Sequence, residues 1–219
     1  MSADPPVRLT WSLVIPVKVL ARAKSRLTGL AGTRRPELAL ALAADTVAAA
    51  VACPEVGTVI VVSDDPAAAA ELTRLGALVV PDQPGDGLNP ALVHGASVAA
   101  GLHPDAATGA MAADLPALRP AELGRVLRAA AGWPQAFVPD AAGSGTTLYT
   151  VIPGGRFQPR FGPGSRQAHS QAGAAELDLT GIASVRRDVD TPDDLDSAAR
   201  LGLGPRTAVI AAELLPGRS

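Results

Sequence analysis

Short apolar runs alternate with helix-like patterns along most of the chain. The apolar runs predict buried strands, because a strand covered on both faces is apolar throughout. They cover residues 13–17, 58–62, 77–80, 109–113, 136–138, 146–152 and 183–189. Between them, capping residues or proline at the start of a periodic segment predict helices. These helices cover residues 36–52, 66–75, 91–101, 120–131 and 191–201.

This alternation of strands and helices indicates βαβ crossovers and a mixed, mostly parallel central sheet. Residues 81–90 are rich in Pro, Gly and Asp and are predicted to form a loop, and residues 154–173 are predicted to be irregular. Ligands of such sheets bind beyond the carboxyl ends of the strands. Lys18, Asp114 and Asp190 follow three of the predicted strands and are therefore candidates for chemistry.

Composition limits the class of protein. The 219 residues carry 19 basic and 21 acidic side chains, a net charge of −2, which argues against a general nucleic-acid binder. The length fits one domain over residues 1–219, with a core over about 12–204 and a tail over 205–219. Within the tail, the apolar stretch 208–215 is expected to pack on the core or on a partner.

Cysteine and histidine usage gives no sign of a disulfide or of a soft-metal site. Cys53 is the single cysteine, which leaves no partner for an intramolecular disulfide. Surface or structural roles are predicted for His94, His103 and His169, and packing roles for Trp11 and Trp133. We see no signal peptide and no apolar run of about 18 residues, so a cytoplasmic protein without a membrane partner is expected.

Three carboxylates are candidate metal ligands. Asp188 and Asp190 are two residues apart, a spacing that puts both on one face of an extended segment. Asp114 follows a predicted strand. Oxygen ligands of this kind suit Mg²⁺. The alternatives are a solvated acidic strand end and a turn-starting aspartate; Asp193 and Asp194 are interpreted as helix-start acids instead.

Basic residues follow the first strand at positions Lys18, Arg22, Lys24 and Arg26. If this loop folds over the same sheet edge, it brings cations to a triphosphate, as phosphoryl and nucleotidyl transfer require. A solvated basic loop is the alternative. The chain has neither a Walker A motif nor a G-x-G-x-x-G motif, so a P-loop NTPase and a dinucleotide-binding protein are not supported.

Glycine and hydroxyl residues cluster at residues 143–147 and 161–165. Glycine lets backbone N–H groups approach an anion closely, and hydroxyls add hydrogen bonds. Each segment would suit a small phosphorylated or carboxylated acceptor. Ordinary loop glycine is the alternative for either segment taken alone.

The motifs taken in order resemble the phospholactate guanylyltransferase family, which serves the biosynthesis of the deazaflavin coenzyme F-420. The resemblance spans about residues 12–204, and the segment R-F-G-P-G-S at 160–165 is its most unusual part. The other matching segments are I-P-V-K at 15–18, A-K-S-R-L at 23–27, L-N-P-A-L at 88–92, D-L-P-A-L at 114–118, G-S-G-T at 143–146 and D-V-D-T-P at 188–192. The branch it most resembles prefers phosphoenolpyruvate over 2-phospho-L-lactate.

The resemblance implies a three-layer, Rossmann-like nucleotidyltransferase fold of the GT-A type and a Mg²⁺-dependent reaction. In that reaction the acceptor phosphate attacks the α-phosphorus of GTP, and pyrophosphate leaves. The family's metal carboxylates fall on Asp114, Asp188 and Asp190, which are catalytic together with Lys18 and Lys24. Acceptor-binding positions fall on Thr146 (or Thr147), Gly162 and Ser165, and nucleotide-binding positions on Lys18, Lys24, Arg26 and Asn89.

Other functions stay open at this point. The acceptor is phosphoenolpyruvate, 2-phospho-L-lactate or 3-phosphoglycerate, and the product would pass to the transferase of the F-420 pathway. A nucleotidyltransferase for molybdopterin or a sugar phosphate, a D-x-D glycosyltransferase and a nucleotide sensor without turnover are the alternatives. The missing L-A-G-G loop argues against the first of these. The late position of the D-x-D motif argues against the second, and the three carboxylates argue against the third. Relatives of this type pair, so a homodimer is expected.

Overall fold

A seven-stranded mixed sheet forms the centre of the molecule. The computed structural model describes residues 9–83 and 85–214. The strands are β1 Trp11–Pro16, β2 Val56–Val62, β3 Leu78–Val80, β4 Ala107–Met111, β5 Gln135–Pro139, β6 Thr146–Val151 and β7 Ala175–Glu176. Their order in the sheet is β3-β2-β1-β4-β6-β5-β7. β6 is antiparallel to both β4 and β5, and the other neighbours are parallel, which confirms the mixed, mostly parallel sheet.

Helices cover both faces of this sheet. They are α1 Thr28–Ala31, α2 Arg35–Val51, α3 Pro66–Arg74, α4 Leu88–Leu102, α5 Pro120–Ala130, α6 Ser165–Gln171, α7 Ala183–Arg186, α8 Pro192–Leu201 and α9 Pro205–Leu214. Three short 3-10 turns, Leu20–Arg22, Ser25–Leu27 and Gly32–Arg34, lie between β1 and α2. No helix among the described residues has the length and apolar character needed to cross a membrane.

Alternating side chains of the strands build a core on each face, as the pleat of a strand requires. Leu13 and Ile15 pack under α2, α3 and α5, whereas Val14 packs under α4 on the opposite face. The approach of α4 is close, since a Cβ on Gly95 would lie 2.4 Å from the Val14 side chain. α2, α3 and α5 therefore form one outer layer and α4 belongs to the other.

Three of the predicted elements differ from the structure. Residues 183–189 form the short helix α7 and then an irregular segment, not a strand. The start of α7 is held by Glu122 of α5, whose carboxylate accepts hydrogen bonds from the N–H and the hydroxyl of Ser184. The segment predicted to be irregular contains α6, and β4 ends at Met111, three residues before Asp114. Asp190 is therefore not at the end of a strand.

The described part of the tail, Pro205–Leu214, packs on the core as helix α9, one of the two outcomes expected for it, and residues 215–219 lie outside the described residues. Its buried residues Thr207, Ile210 and Ala211 face α2. The carboxylate of Asp45 on α2 accepts hydrogen bonds from the backbone N–H groups of Arg206 and Thr207, at 3.2 and 2.7 Å. These bonds satisfy free donors at the start of α9, as a capping residue does.

One β-bulge interrupts the pairing of β5 with β6. Val138 lies opposite Leu148, but the next residue of β5, Pro139, lies opposite Thr146. Thr147 is the extra residue on β6 and has no partner on β5. The bulge changes which way the first residues of β6 point, at the edge of the sheet that carries the candidate site.

Candidate active site

A cavity of about 330 Å³ opens at the carboxyl ends of β1 and β4. Its polar lining residues come from the loop after β1, from the loop after β4 and from the segment after α7, and they are Lys18, Lys24, Asp114 and Asp190. Apolar residues of α2 and α4 and the ring of Phe161 complete the wall. The basic loop therefore does fold over the sheet edge that carries the candidate carboxylates.

Lys24 is the centre of the charged part of this cavity. Its ammonium contacts the carboxylate of Asp114 and lies 2.8 Å from Oδ1 of Asp190. Burial lowers the pKa of Lys24, but the charges and hydrogen bonds of Asp114 and Asp190 outweigh it, so the pKa is raised. Its backbone has φ 55°, the single positive value outside glycine in the described chain. This conformation is costly for a residue with a side chain.

The remaining basic residues are more exposed than Lys24. Arg26 Nη1 lies 4.0 Å from Oδ2 of Asp190, and three-quarters of the Arg26 side chain is exposed. Lys18 is exposed at the mouth of the cavity. Burial raises the pKa of Asp190, but Lys24, Arg26 and Lys18 together hold it below its usual value. The side chain of Arg22 lies outside the described part of the structure.

Asp188 has the opposite electrostatic environment. Burial, followed by the charges of Asp114, Asp140 and Asp190, raises its pKa to about 7. The described residues hold no ready-made group of three His, Cys, Asp or Glu side chains that could bind a metal ion. The donor chemistry nevertheless fits Mg²⁺, because all of these side chains offer oxygen and Asp114 and Asp190 already share one cation, the Lys24 ammonium.

The turn between β5 and β6 is organised by a buried aspartate that sequence reasoning missed. Asp140 accepts hydrogen bonds from the backbone N–H groups of Ser144 and Gly145, at 2.9 and 2.8 Å. Gly145 approaches so closely that a Cβ there would lie 2.3 Å from the Asp140 carboxylate. An aspartate followed by a glycine-rich turn is the local signal that could have identified it.

Thr146 and Thr147 have different environments. Thr146 Oγ1 lies 3.1 Å from Nδ1 of His169. Thr147 sits in the bulge, and its buried hydroxyl finds no hydrogen-bond partner among the described residues. Neither threonine lines the cavity itself, and the choice between them as an acceptor ligand stays a prediction.

The unusual segment 160–165 leads into α6. Gly162 and Gly164 have φ values of +132° and +71°, which favour glycine, and the Ser165 N–H donates to the Gly162 carbonyl at 3.1 Å. Ser165 is the first residue of α6 and is buried. Within this segment, Phe161 is the residue that reaches the cavity wall.

Asn89 contacts this segment directly. Its Nδ2 donates to the Phe161 carbonyl at 2.9 Å, and its Oδ1 accepts from the Phe161 N–H at 2.8 Å. Both ends of its amide are thus used within the protein. A nucleotide-binding role for Asn89 stays a prediction, and in this structure the side chain is engaged with the backbone of residue 161.

His169 is a second residue that sequence reasoning did not connect to the site. It is fully buried on α6, with its ring stacked on Tyr149 and Phe137 at centroid distances of 4.7 and 5.6 Å. Its Nε2 accepts a hydrogen bond from the Arg160 N–H at 3.0 Å. Burial, together with the charge of Arg160, lowers the pKa of His169 to about 4. The predicted structural role of this residue agrees with this burial.

Two other sequence expectations have clear outcomes. Asp194 completes a capping box with Thr191 at the start of α8, which confirms its interpretation as a helix-start acid. Trp11 is buried as predicted, but Trp133 is half exposed, so its predicted packing role is wrong. Trp133 lies in the turn between α5 and β5, where no layer covers it.

Comparison with known proteins is informative at the level of sequence. The family model described as "Guanylyl transferase CofC like" matches residues 11–200. A phosphoenolpyruvate guanylyltransferase from Thermomonospora curvata is 64% identical over 206 residues, which cover 94% of this chain and 90% of that protein. A protein of the same name from Streptomyces coelicolor is 60% identical over 208 residues, covering 94% of this chain and 98% of its own length.

Solved structures agree on the fold. A nucleotide-diphospho-sugar transferase from Desulfovibrio desulfuricans G20 superimposes with a TM-score of 0.72 at 16% identity, over 93% of this chain and 96% of that one. A 4-diphosphocytidyl-2C-methyl-D-erythritol synthase does so with a TM-score of 0.54 at 13% identity, over 89% and 99%. The expected nucleotidyltransferase fold is thereby confirmed.

Proposed function

Because the chain belongs to the CofC-like guanylyl transferase family, we propose that it transfers GMP from GTP to phosphoenolpyruvate. The products are enolpyruvyl-diphospho-5'-guanosine and pyrophosphate. The relatives that carry this activity in their names match the chain almost from end to end. The structural observation that carries the proposal is the cavity at the sheet edge, where Lys24 pairs with Asp114 and Asp190 beside the exposed Lys18.

The reaction needs no general base. The phosphate of phosphoenolpyruvate is largely ionised near pH 7, and one of its oxygens is the nucleophile. It forms a new bond to the α-phosphorus of GTP, while the bond from that phosphorus to the bridging oxygen of the leaving pyrophosphate breaks. The obstacle is the approach of two anions, so positioning and charge neutralisation provide most of the catalysis.

The basic side chains around the cavity suit the triphosphate. Lys18 and Arg26 are exposed and carry no buried partner that would have to be given up. Lys24 is held at the cavity by carboxylates, and its raised pKa keeps it charged at neutral pH. We assign these three residues to binding GTP and neutralising the leaving pyrophosphate.

Asp114, Asp188 and Asp190 would hold the metal ion. Burial, followed by the charges of Asp114, Asp140 and Asp190, raises the pKa of Asp188, and a divalent cation is favoured where such carboxylates lie close together. When bound there, Mg²⁺ supplies further charge screening for the phosphates. In this structure the Lys24 ammonium occupies the position between Asp114 and Asp190.

The acceptor would lie against Thr146, Gly162 and Ser165. The backbone at Gly162 has open space around it, and Ser165 carries a hydroxyl at the first residue of α6. The family resemblance places the product in coenzyme F-420 biosynthesis, where the pathway transferase consumes it, and a cytoplasmic location follows from that role. Thr147 is the alternative to Thr146. The resemblance implies a nucleotide-binding role for Asn89, but its amide is engaged with the backbone of Phe161, so we do not assign it to the nucleotide.

Pyrophosphate release tests this function. GTP and Mg²⁺ are supplied with phosphoenolpyruvate, 2-phospho-L-lactate or 3-phosphoglycerate in separate reactions. We expect the highest kcat/KM with phosphoenolpyruvate. Faster release with another acceptor would keep the reaction but replace the substrate, and no release from protein that binds GTP would refute the guanylyltransferase assignment.

A further inference from the structure

The segment 160–165 is held from two sides by side chains of different helices. From α4, the amide of Asn89 bonds to both the N–H and the carbonyl of Phe161. From α6, the imidazole of His169 accepts the N–H of Arg160. Three of the four backbone polar groups of residues 160 and 161 are therefore fixed immediately before Gly162.

The two ring nitrogens of His169 have different hydrogen-bonding roles. Because Nε2 accepts a hydrogen bond, the proton of the neutral ring is on Nδ1. Nδ1 faces Thr146 Oγ1 at 3.1 Å, so the ring joins the start of β6 to residue 160. Stacking on Tyr149 and Phe137, and the edge of Phe161 at a centroid distance of 5.5 Å, leaves the ring little freedom to turn.

The backbone between these contacts and α6 has few restraints of its own. Gly162 and Gly164 carry no side chain, and a Cβ at either position would meet no atom within 4 Å. The direction of the Gly162 N–H group is thus set by where residues 160 and 161 are held, whereas the Ser165 N–H donates to the Gly162 carbonyl.

We propose that Asn89 and His169 are positioning residues that hold the segment 160–165 in the geometry that binds the phospho-acid acceptor. Asn89 acts through the Phe161 backbone and not on the nucleoside. The inference rests on the proposed function, because Gly162 and Ser165 matter here as acceptor ligands. A displacement of about 1 Å at such a site costs about 10²-fold in rate.

The kinetic test uses Asn89→Ala, His169→Phe and His169→Gln, with phosphoenolpyruvate and GTP varied separately. His169→Phe keeps an aromatic ring but leaves the Arg160 N–H unpaired, whereas the side-chain amide oxygen of glutamine can accept that N–H. We expect Asn89→Ala and His169→Phe to raise the KM for phosphoenolpyruvate about 10- to 100-fold with little change in the KM for GTP. His169→Gln should restore part of the loss.

A matched control is His103→Phe. His103 bonds to Thr58 through Nε2 at 2.9 Å, near the start of β2 and after α4, away from residues 160–165. It should leave both KM values unchanged. A rise in the KM for GTP alone in Asn89→Ala would overturn the inference in favour of nucleoside contact. Equal changes in both KM values, or no rescue by glutamine, would also overturn the inference, because the contacts would then contribute to general stability and not to positioning the acceptor.

Amide hydrogen exchange separates the two proposals. Asn89→Ala and His169→Phe should each lower the protection of the amides at 160 and 161, and this readout does not depend on turnover. Unchanged protection in folded variants would overturn the inference even if the enzyme is active. Lost protection in a protein that releases no pyrophosphate with any acceptor would instead refute the proposed function and leave the positioning contacts established.

Discussion

The two sides of the candidate site are held together by different forces. On the nucleotide side, charged side chains from three loops meet around Lys24, and their contacts are ion pairs that a charged ligand can replace. On the acceptor side, Asn89, Asp140 and His169 fix backbone groups through neutral or fully satisfied hydrogen bonds. Under the proposed function, the ion pairs around Lys24 would be exchanged for contacts with the triphosphate. The hydrogen-bonded backbone on the other side would keep its shape and so select a small acceptor.

Removing a carboxylate from the exchangeable side should have the largest effect. Asp190→Asn keeps the shape of the side chain but removes one of the two charges that hold Lys24. We expect kcat for pyrophosphate release to fall about 10²- to 10³-fold, with the melting temperature nearly unchanged. Asp193→Asn, an exposed change in the first turn of α8, is the matched control. Near-normal Mg²⁺-dependent turnover in folded Asp190→Asn would contradict the metal assignment.

Lys24→Met tests whether the ammonium between Asp114 and Asp190 contributes to turnover as much as these carboxylates do. The variant keeps a long side chain at the same strained φ but leaves Asp114 and Asp190 without their shared ammonium. The expected loss in kcat/KM for GTP is about 10²-fold. Steady-state kinetics against Arg74→Met, whose ion pair with Glu71 lies in α3, gives the comparison. An unchanged kcat/KM would show that Lys24 serves structure alone.

On the acceptor side, Asp140→Asn should affect stability and binding together. An asparagine can accept only one of the two N–H groups that Asp140 accepts, so the turn at residues 140–145 loosens. We expect about 1–3 kcal/mol of unfolding free energy to be lost. The KM for phosphoenolpyruvate should rise about tenfold. Urea unfolding and kinetics measure the two effects, and the exposed change Asp178→Asn should produce neither.

The last prediction concerns the pH dependence of stability and sharpens the contrast between the two sides. His169 has a pKa of about 4 in the folded protein against an ordinary value of 6.5. The unfolded chain therefore binds more protons between these values, and the unfolding free energy gains a contribution as pH rises from about 4 to 6.5. The stability difference between wild type and His169→Gln should shift in favour of wild type across this window and stay constant above it. A stability difference that stays constant between pH 4 and 6.5 would contradict the assignment.

Much of the fold could be predicted because its signals are local. The apolar runs of β1 and β2 and the proline-started helices α3 and α5 are written in consecutive residues. The segment 183–189 was mistaken for a strand because its structure depends on a distant partner: the Glu122 carboxylate accepts from both the N–H and the hydroxyl of Ser184. Such a contact cannot be predicted from the residues of the segment alone.

The candidate site was predictable to the same extent. The carboxylates and lysines could be found as charged residues that follow apolar runs of the sequence, and the structure does bring Lys24, Asp114 and Asp190 together. His169 could not be found, because its role needs β5, β6 and residue 160 to be assembled around one ring. Charged ligand-binding residues can be recognised in the sequence by their residue type, whereas positioning residues can be recognised only from their contacts in the tertiary structure.

The bulge at Thr147 has a consequence for how such a protein can diversify. Side chains alternate along a strand, so one inserted residue would normally turn every later side chain to the other face. A bulge absorbs the extra residue and leaves the pairing of Leu148 with Val138 and the rest of β6 in register. Insertions and deletions at this point can therefore change which residue at the start of β6 faces the candidate site, while the rest of the strand keeps its register in the sheet.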